Sequence, residues 1–131
     1  MKVLSLFDGI SCGMLALQRA GIPVECYDAF EIDKYAVTVS KRNFPVIVHH
    51  GNVYDGDFTQ FKGYDLLLGG SPCTYWSIAK KDREIDCNGE GFKLFQEYVR
   101  ALEDQAVSIS STKTTTPYIR TSRTRSQGFS A

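Results

Sequence analysis

The amino-acid sequence predicts an α/β fold with a mostly parallel sheet and helices on its faces. Four short apolar runs of strand length alternate with three longer segments whose apolar residues recur at helical spacing. The predicted strands are residues 3–7, 24–30, 46–48 and 64–68, and the predicted helices are residues 14–20, 33–43 and 92–104. Because parallel neighbours need a long crossover connection, such alternation is typical of a parallel sheet.

Glycine and proline residues mark the ends of these elements. Gly21 ends the first helix, Pro23 opens the second strand and Pro45 ends the second helix. The pair Gly69-Gly70 closes the fourth strand. Sheets of this type often begin with the strand order 3-2-1-4 and bind ligands beyond the carboxyl ends of the strands. We therefore expect the segments that follow the strands to gather at one edge.

The composition excludes several classes of protein. The chain has 131 residues, and no run of about 18 apolar residues that would predict a membrane span. The apolar start is too short for a signal peptide, so we expect a cytoplasmic protein. No Cys-x-x-Cys pair occurs, and His49 and His50 share no ligand spacing with a cysteine, so we expect no metal site.

The turn after the first strand is a candidate ligand-binding loop. It consists of Phe7, Asp8, Gly9, Ile10, Ser11, Cys12 and Gly13. Its glycines allow close backbone approach, and the helix behind it offers free N–H groups. Glu31 follows the second strand, where a carboxylate can accept hydrogen bonds from ribose hydroxyls; alternatively, it is a solvated carboxylate or a neighbour of a helix N-cap. The missing Gly-x-Gly-x-x-Gly spacing argues against a nicotinamide cofactor.

The segment Gly69-Gly70-Ser71-Pro72-Cys73 places a cysteine just beyond a buried strand. A thiolate in this position could act as a nucleophile, whereas a single cysteine is more often a small buried residue. We expect Cys73 to be reactive, and Cys26, which lies in a predicted buried strand, to be inert.

Four segments in this order resemble motifs of the DNA cytosine-5 methyltransferases, in particular those of phage and prophage type. They are residues 4–13, residues 31–33, residues 51–53 and residues 69–73, and the resemblance extends over residues 1–106. It implies a truncated Rossmann-like fold that binds S-adenosylmethionine, with residues 1–106 forming the N-terminal part of a catalytic domain.

The resemblance also implies a role for each site residue. The loop of residues 7–13 binds the cofactor, Glu31 holds its ribose hydroxyls and Ile32 packs against its adenine. Asn52 and Val53 contact the adenine edge. Ser71 and Pro72 lie on the substrate side, and Cys73 is the nucleophile.

The implied reaction transfers a methyl group from S-adenosylmethionine to carbon 5 of a cytosine in double-stranded DNA. Cys73 adds to carbon 6, and the base must leave the duplex to reach it. Lys80, Lys81 and Arg83 then lie on a candidate closing loop, or alternatively on an ordinary solvated loop. Three alternatives stay open: a cofactor-binding fragment, one half of a split enzyme completed by another chain, and a related enzyme that methylates tRNA.

The sequence changes character after residue 106. Residues 107–131 have four basic side chains, no acidic ones and little apolar content, so we expect a disordered tail. The family instead has a buried strand ending in Glu-Asn, which a frameshift near residue 107 would restore. Without that acid we expect the chain to be inactive alone. We also expect a four-stranded sheet whose fourth strand has an open edge.

Overall fold

Five parallel strands form a single sheet in the computed structural model, which describes residues 1–72, 81, 89–105 and 109–112. The strands are β1 (Lys2–Leu6), β2 (Cys26–Phe30), β3 (Val48–His49), β4 (Leu66–Gly69) and β5 (Ile109–Thr112), in the order β3-β2-β1-β4-β5. The helices are α1 (Cys12–Arg19), α2 (Lys34–Asn43) and α3 (Glu90–Gln105). The predicted α/β class and the 3-2-1-4 strand order are confirmed.

Two short 3-10 helices, η1 (Val53–Asp55) and η2 (Phe58–Phe61), connect β3 to β4 and have no counterpart among the predicted elements. Both begin with a polar side chain that accepts a hydrogen bond from the backbone two residues ahead, Asn52 from Tyr54 and Asp57 from Thr59. Such caps satisfy N–H groups that a helix start leaves free. The third strand is also shorter than expected and begins at Val48.

The expectation of a four-stranded sheet is wrong, because β5 pairs with β4 over its whole length. The register runs from Leu66 opposite Ile109 to Gly69 opposite Thr112. The error came from judging the tail by its low apolar content. The free backbone groups of β4 offer hydrogen bonds to any neighbouring strand, and Ile and Thr are β-branched residues that favour strands. Residues 113–131 lie outside the described residues, and the frameshift hypothesis stays a prediction.

Two clusters of buried side chains lie on opposite faces of the sheet, because successive strand residues point to opposite sides. One cluster packs under η1, η2 and α3, and the other packs under α1. The first contains Leu4, Leu6, Phe30, Val53, Phe58, Phe61, Leu67, Tyr98 and Ala101. The second contains Val3, Met14, Leu17, Tyr27, Ala29, Ile47 and Leu66. Alternate residues of β1 and β2 thus belong to different clusters.

A buried polar group interrupts the first face. Asp28 is only 6% exposed, and its carboxylate accepts a hydrogen bond from the Tyr64 hydroxyl at 2.5 Å. Its other oxygen lies 2.7 Å from Nε2 of His50, whose ring stacks on Phe30. Burial, together with the Asp28 hydrogen bond, raises the pKa of Tyr64 above its ordinary value, so this hydroxyl stays a donor. The buried carboxylate is therefore satisfied on both oxygens.

Candidate functional site

The carboxyl ends of β1, β2 and β4 meet at one edge of the sheet. The backbone N–H of Asp8 donates to the carbonyl of Phe30 at 3.2 Å, and that of Gly70 donates to the carbonyl of Leu6 at 3.4 Å. These two bonds tie the segment after β1 to the end of β2, and the segment after β4 to the end of β1. The topology thus brings together three of the four predicted segments, and the fourth begins beside β2 at the end of β3.

The loop between β1 and α1 has an unusual backbone. Phe7, Gly9 and Ser11 have φ angles of 56°, 62° and 68°. Glycine adopts this left-handed region without strain, whereas a residue with a side chain costs about 1–3 kcal/mol there and is held by its surroundings. The loop therefore depends on contacts that compensate for Phe7 and Ser11.

The carboxylate of Asp8 provides those contacts. One oxygen accepts hydrogen bonds from the Ser5 and Tyr27 hydroxyls, both at 2.6 Å, and the other accepts one from the Ser11 hydroxyl. Burial, and after it the Asp8 charge, raises the pKa of Tyr27, so Tyr27 stays a donor. Asp8 was predicted as a cofactor-binding residue, but its carboxylate faces three hydroxyls of the protein itself.

Ser11 extends this network away from the loop. Its side chain is fully buried, and its hydroxyl oxygen lies 2.5 Å from that of Ser40 on α2. Ser40 in turn lies 3.4 Å from Nε2 of His49 at the end of β3. A chain of polar groups thus runs from the loop to the edge strand. We name these residues, Ser5, Asp8, Ser11, Tyr27, Ser40 and His49, the Asp8 network.

Glu31 connects the loop to the start of α2. Its Oε2 accepts a hydrogen bond from the Gly9 N–H at 2.8 Å, and its Oε1 accepts from the N–H groups of Ile32 and Asp33 at 3.1 and 3.0 Å. Asp33 is the N-cap of α2. Glu31 therefore lies beside a helix N-cap, as the alternative interpretation predicted. Among the residues that the structure describes, Oε2 has one donor, the Gly9 N–H, and it therefore keeps one further acceptor position.

Apolar and small residues surround Glu31 at this edge. Ile10 is 49% exposed and Ile32 is 71% exposed, and the Cys12 side chain is also exposed. A side chain at Gly13 would approach the Leu68 methyl group to 2.7 Å and the Tyr27 hydroxyl to 2.9 Å, so only glycine fits there without rearrangement. The edge therefore offers an exposed apolar surface beside a carboxylate.

Asn52 and Val53 differ from each other in exposure. Asn52 is exposed and its side-chain oxygen accepts a hydrogen bond from the Tyr54 N–H at 3.0 Å, which caps η1. The Val53 side chain is 5% exposed and belongs to the core. Val53 was predicted to contact a ligand, and its side chain is not at the surface for such a contact.

The predicted nucleophile Cys73 lies outside the described residues, as do Lys80 and Arg83. Ser71 and Pro72, just beyond β4, are both half-buried. The Ser71 hydroxyl is shielded from solvent and has no hydrogen-bond partner in the described part of the chain. Cys26 is at the first position of β2; the rest of this strand is buried as expected, but Cys26 itself is partly exposed, and its expected inertness stays a prediction.

Three partners that fix the loop were not among the predicted site residues: Ser5, Tyr27 and Ser40. The sequence signal for Ser5 was a polar side chain within an otherwise apolar strand, followed three positions later by the acidic residue Asp8. Tyr27 and Ser40 have no comparable local signal.

Over the residues with described structure, no cluster of three or more His, Cys, Asp or Glu side chains could hold a metal ion. No helix among those residues is long and apolar enough to span a membrane.

Replacing Asp8 tests whether the network stabilises the fold. Asp8→Asn keeps the shape but places an NH₂ donor against hydroxyl donors, so we expect the free energy of unfolding to fall by about 1–3 kcal/mol. Denaturant titration measures this loss. Asp65→Asn is the matched control, because Asp65 is exposed and its side-chain oxygen can still accept from the Lys2 N–H after the change. Equal stability of the two variants would contradict the role of Asp8.

His49 gives the network a pH dependence. Burial, and after it the charge of Lys41, lowers the pKa of His49 below its ordinary value. The folded state therefore disfavours the protonated ring, so this contribution to stability is complete above about pH 6.5 and is lost as the pH falls through the lowered pKa. Denaturation between about pH 5 and 7 should show less acid destabilisation in His49→Gln than in the parent. Identical pH profiles would exclude His49 as the cause.

Comparison with known proteins places this site in a family. The family model of the C-5 cytosine-specific DNA methylase matches residues 1–107. Orphan methyltransferase M.SPRI of Bacillus phage SPR is 37% identical over 108 residues, which are 80% of this chain and 24% of that protein. DNA (cytosine-5)-methyltransferase DRM2 of Arabidopsis thaliana is 32% identical over 116 residues, 79% of this chain and 18% of that protein. The chain thus spans less than a quarter of either relative.

Solved structures show the same fold. A crystal structure of a Spodoptera frugiperda DNMT2 variant has a TM-score of 0.63 and 24% identity, over 85% of this chain and 35% of that one. The S. pombe Dnmt2 methyltransferase has a TM-score of 0.63 and 18% identity, over 95% and 40% of the two chains. The predicted methyltransferase fold is confirmed. With the family model matching residues 1–107 of 131, this chain belongs to the C-5 cytosine-specific DNA methylase family.

Proposed function

We propose that this chain provides the S-adenosylmethionine-binding part of a DNA cytosine-5 methyltransferase. The observation that carries the proposal is the position of Glu31. Its carboxylate ties Gly9 of the loop to the start of α2 and keeps one acceptor position on Oε2. A carboxylate in this place after the second strand suits a ribose hydroxyl. Family membership supports the same cofactor.

The residues around Glu31 fit the rest of the cofactor. S-adenosylmethionine, when bound, supplies the methyl group that is transferred. The exposed apolar side chain of Ile32 would cover a face of the adenine ring, and the exposed Asn52 would face its polar edge. Asn has both a donor and an acceptor for that purpose. The backbone of the loop, with Gly9 and Gly13, leaves room for close approach.

The remaining predicted cofactor residues act indirectly in this proposal. Asp8 and Ser11 hold the loop in its left-handed conformation through the Asp8 network. Val53 anchors η1 in the core and so fixes the backbone next to Asn52. Phe7, Ile10 and Cys12 complete the loop, and the two exposed side chains, Ile10 and Cys12, are the ones available to a ligand.

The parent reaction would use Cys73 as its nucleophile. Its thiolate would add to carbon 6 of a cytosine flipped out of double-stranded DNA and so make carbon 5 nucleophilic. S-adenosylmethionine, when bound, would supply the methyl group to carbon 5, and S-adenosylhomocysteine would be the leaving group. Loss of the proton on carbon 5 and departure of the thiolate restore the aromatic ring and the enzyme. Ser71 and Pro72 would shape the turn before Cys73.

The cell compartment would be the cytoplasm of a bacterial or phage-infected cell. A second chain that completes the enzyme stays a prediction.

Glu31→Gln tests the cofactor site. Glutamine has one acceptor oxygen in place of two, so either the Gly9 bond or the bonds to Ile32 and Asp33 are lost, together with the ribose acceptor. We expect S-adenosylmethionine binding to weaken by about 1–3 kcal/mol in calorimetry. Asp33→Asn removes a charge at the same helix start and keeps an acceptor for the cap, so it should bind nearly as tightly as the parent.

Two outcomes would contradict this assignment. Unchanged affinity in Glu31→Gln would remove Glu31 from the site. Equal weakening in Glu31→Gln and Asp33→Asn would show that the negative charge of this region, and not the Glu31 acceptor, is what the cofactor requires.

A further inference from the structure

Helix α3 braces the 3-10 helix η1 at two points. The Arg100 guanidinium donates one hydrogen bond from NH1 to the Gly56 carbonyl at 2.8 Å and another from NH2 to the Val53 carbonyl at 3.0 Å. At the other end of α3, the Tyr54 hydroxyl donates to the Glu90 carboxylate at 2.7 Å. Both contacts join residues more than 35 positions apart in sequence, so they fix η1 against a distant element.

The Arg100 guanidinium is itself held in place. Its Nε donates to Glu97, one turn earlier on α3, at 2.7 Å, and its centre lies 4.4 Å above the Phe58 ring. The Glu97 side chain is only 18% exposed, so this ion pair is partly withdrawn from solvent. The guanidinium is planar, and its contacts to Glu97, to the Phe58 ring and to the carbonyls of η1 fix its orientation. In this orientation NH1 and NH2 donate to η1.

The two carbonyls that Arg100 reaches are those that a short helix leaves poorly satisfied. The Val53 carbonyl accepts a long backbone bond of 3.2 Å from the Gly56 N–H, and Gly56 is the C-cap of η1. A basic side chain at this end stabilises such carbonyls. Asn52 caps the opposite end. The conformation of η1, and with it the backbone at Asn52, therefore depends on Asn52 at one end and Arg100 at the other.

We propose that Arg100 is a positioning residue for adenine recognition: it orients Asn52 through η1 without touching the cofactor. This inference rests on the proposed function, because it requires that Asn52 faces the adenine. Loss of Arg100 would let the Asn52 segment move, and the affinity for the cofactor would fall. The loss would concern the adenine base, since Glu31 and the loop of residues 7–13 are held separately by the Asp8 network and by β2.

The proposal is tested by measuring, with calorimetry on the whole chain, the affinity for two ligands. The ligands are S-adenosylhomocysteine and S-inosylhomocysteine, which differ at the purine 6-position that Asn52 would read. Arg100→Met keeps a side chain of similar length over Phe58 but removes every donor. We expect it to weaken S-adenosylhomocysteine binding about tenfold and to reduce the preference for adenine over hypoxanthine, since each lost anchor is worth roughly that factor. Arg100→Lys should lie between parent and Arg100→Met.

The controls separate positioning from general destabilisation. Glu97→Gln removes the charge of the ion pair but keeps a side-chain oxygen that can accept from Arg100 Nε, so the guanidinium should keep its orientation and both carbonyl contacts. The ligand preference of this variant should therefore equal that of the parent. Tyr54→Phe removes the hydroxyl that donates to Glu90 and should shift the preference in the same direction as Arg100→Met, about twofold to threefold. Tyr54→Phe also keeps the test valid if Arg100→Met does not fold.

Each outcome is decisive. If the parent binds neither ligand, the proposed function fails. If the parent binds both and the Arg100 and Tyr54 variants show unchanged preference, the positioning role fails while the proposed function stands. Equal weakening toward both ligands would likewise overturn the positioning role, because it would show that Arg100 supports the fold alone.

Discussion

The Asp8 carboxylate is the interaction on which the rest of this structure depends. Its two oxygen atoms accept hydrogen bonds from hydroxyl groups of β1, of β2 and of the N-cap of α1. The carboxylate therefore joins three elements of the fold. The loop above it contains two non-glycine residues with positive φ angles. Their conformational cost of about 1–3 kcal/mol each is comparable to the gain from charged hydrogen bonds, so the network and the loop shape require one another.

The candidate site at the carboxyl ends of the strands depends on that loop. A fixed loop presents the Gly9 N–H to Glu31, and Glu31 in turn fixes the start of α2 and leaves an acceptor at the edge of the sheet. On the other side of the sheet, Arg100 fixes η1 beside Asn52. Two sets of contacts thus support one site from two directions. Binding sites with such support lose less conformational freedom when a ligand binds.

The sequence predicted the architecture well and the contacts poorly. Periodicity and turn residues were sufficient to identify the main strands and helices, because these signals depend on local spacing. The position of Glu31 after the second strand was expected for the same reason, and its role toward a ribose stays a prediction. The strand order followed from the order that sheets of this type often share. The inward role of Asp8 was not found, since its partner Tyr27 is 19 residues away and is recognised only when the strands pair. β5 was missed because backbone hydrogen bonding to an open strand edge leaves little trace in side-chain composition.

The most direct test of the central claim is to map S-adenosylmethionine binding on the amide resonances of this chain by nuclear magnetic resonance. The account predicts that chemical-shift changes concentrate in residues 7–13, residues 31–33 and residues 51–53, which share one edge of the sheet. The amide resonances of residues before the strands, at the opposite edge of the sheet, should not shift; Val24 and Gly63 are examples. Changes confined to that opposite edge, with none at Gly9 or Ile32, would contradict the account.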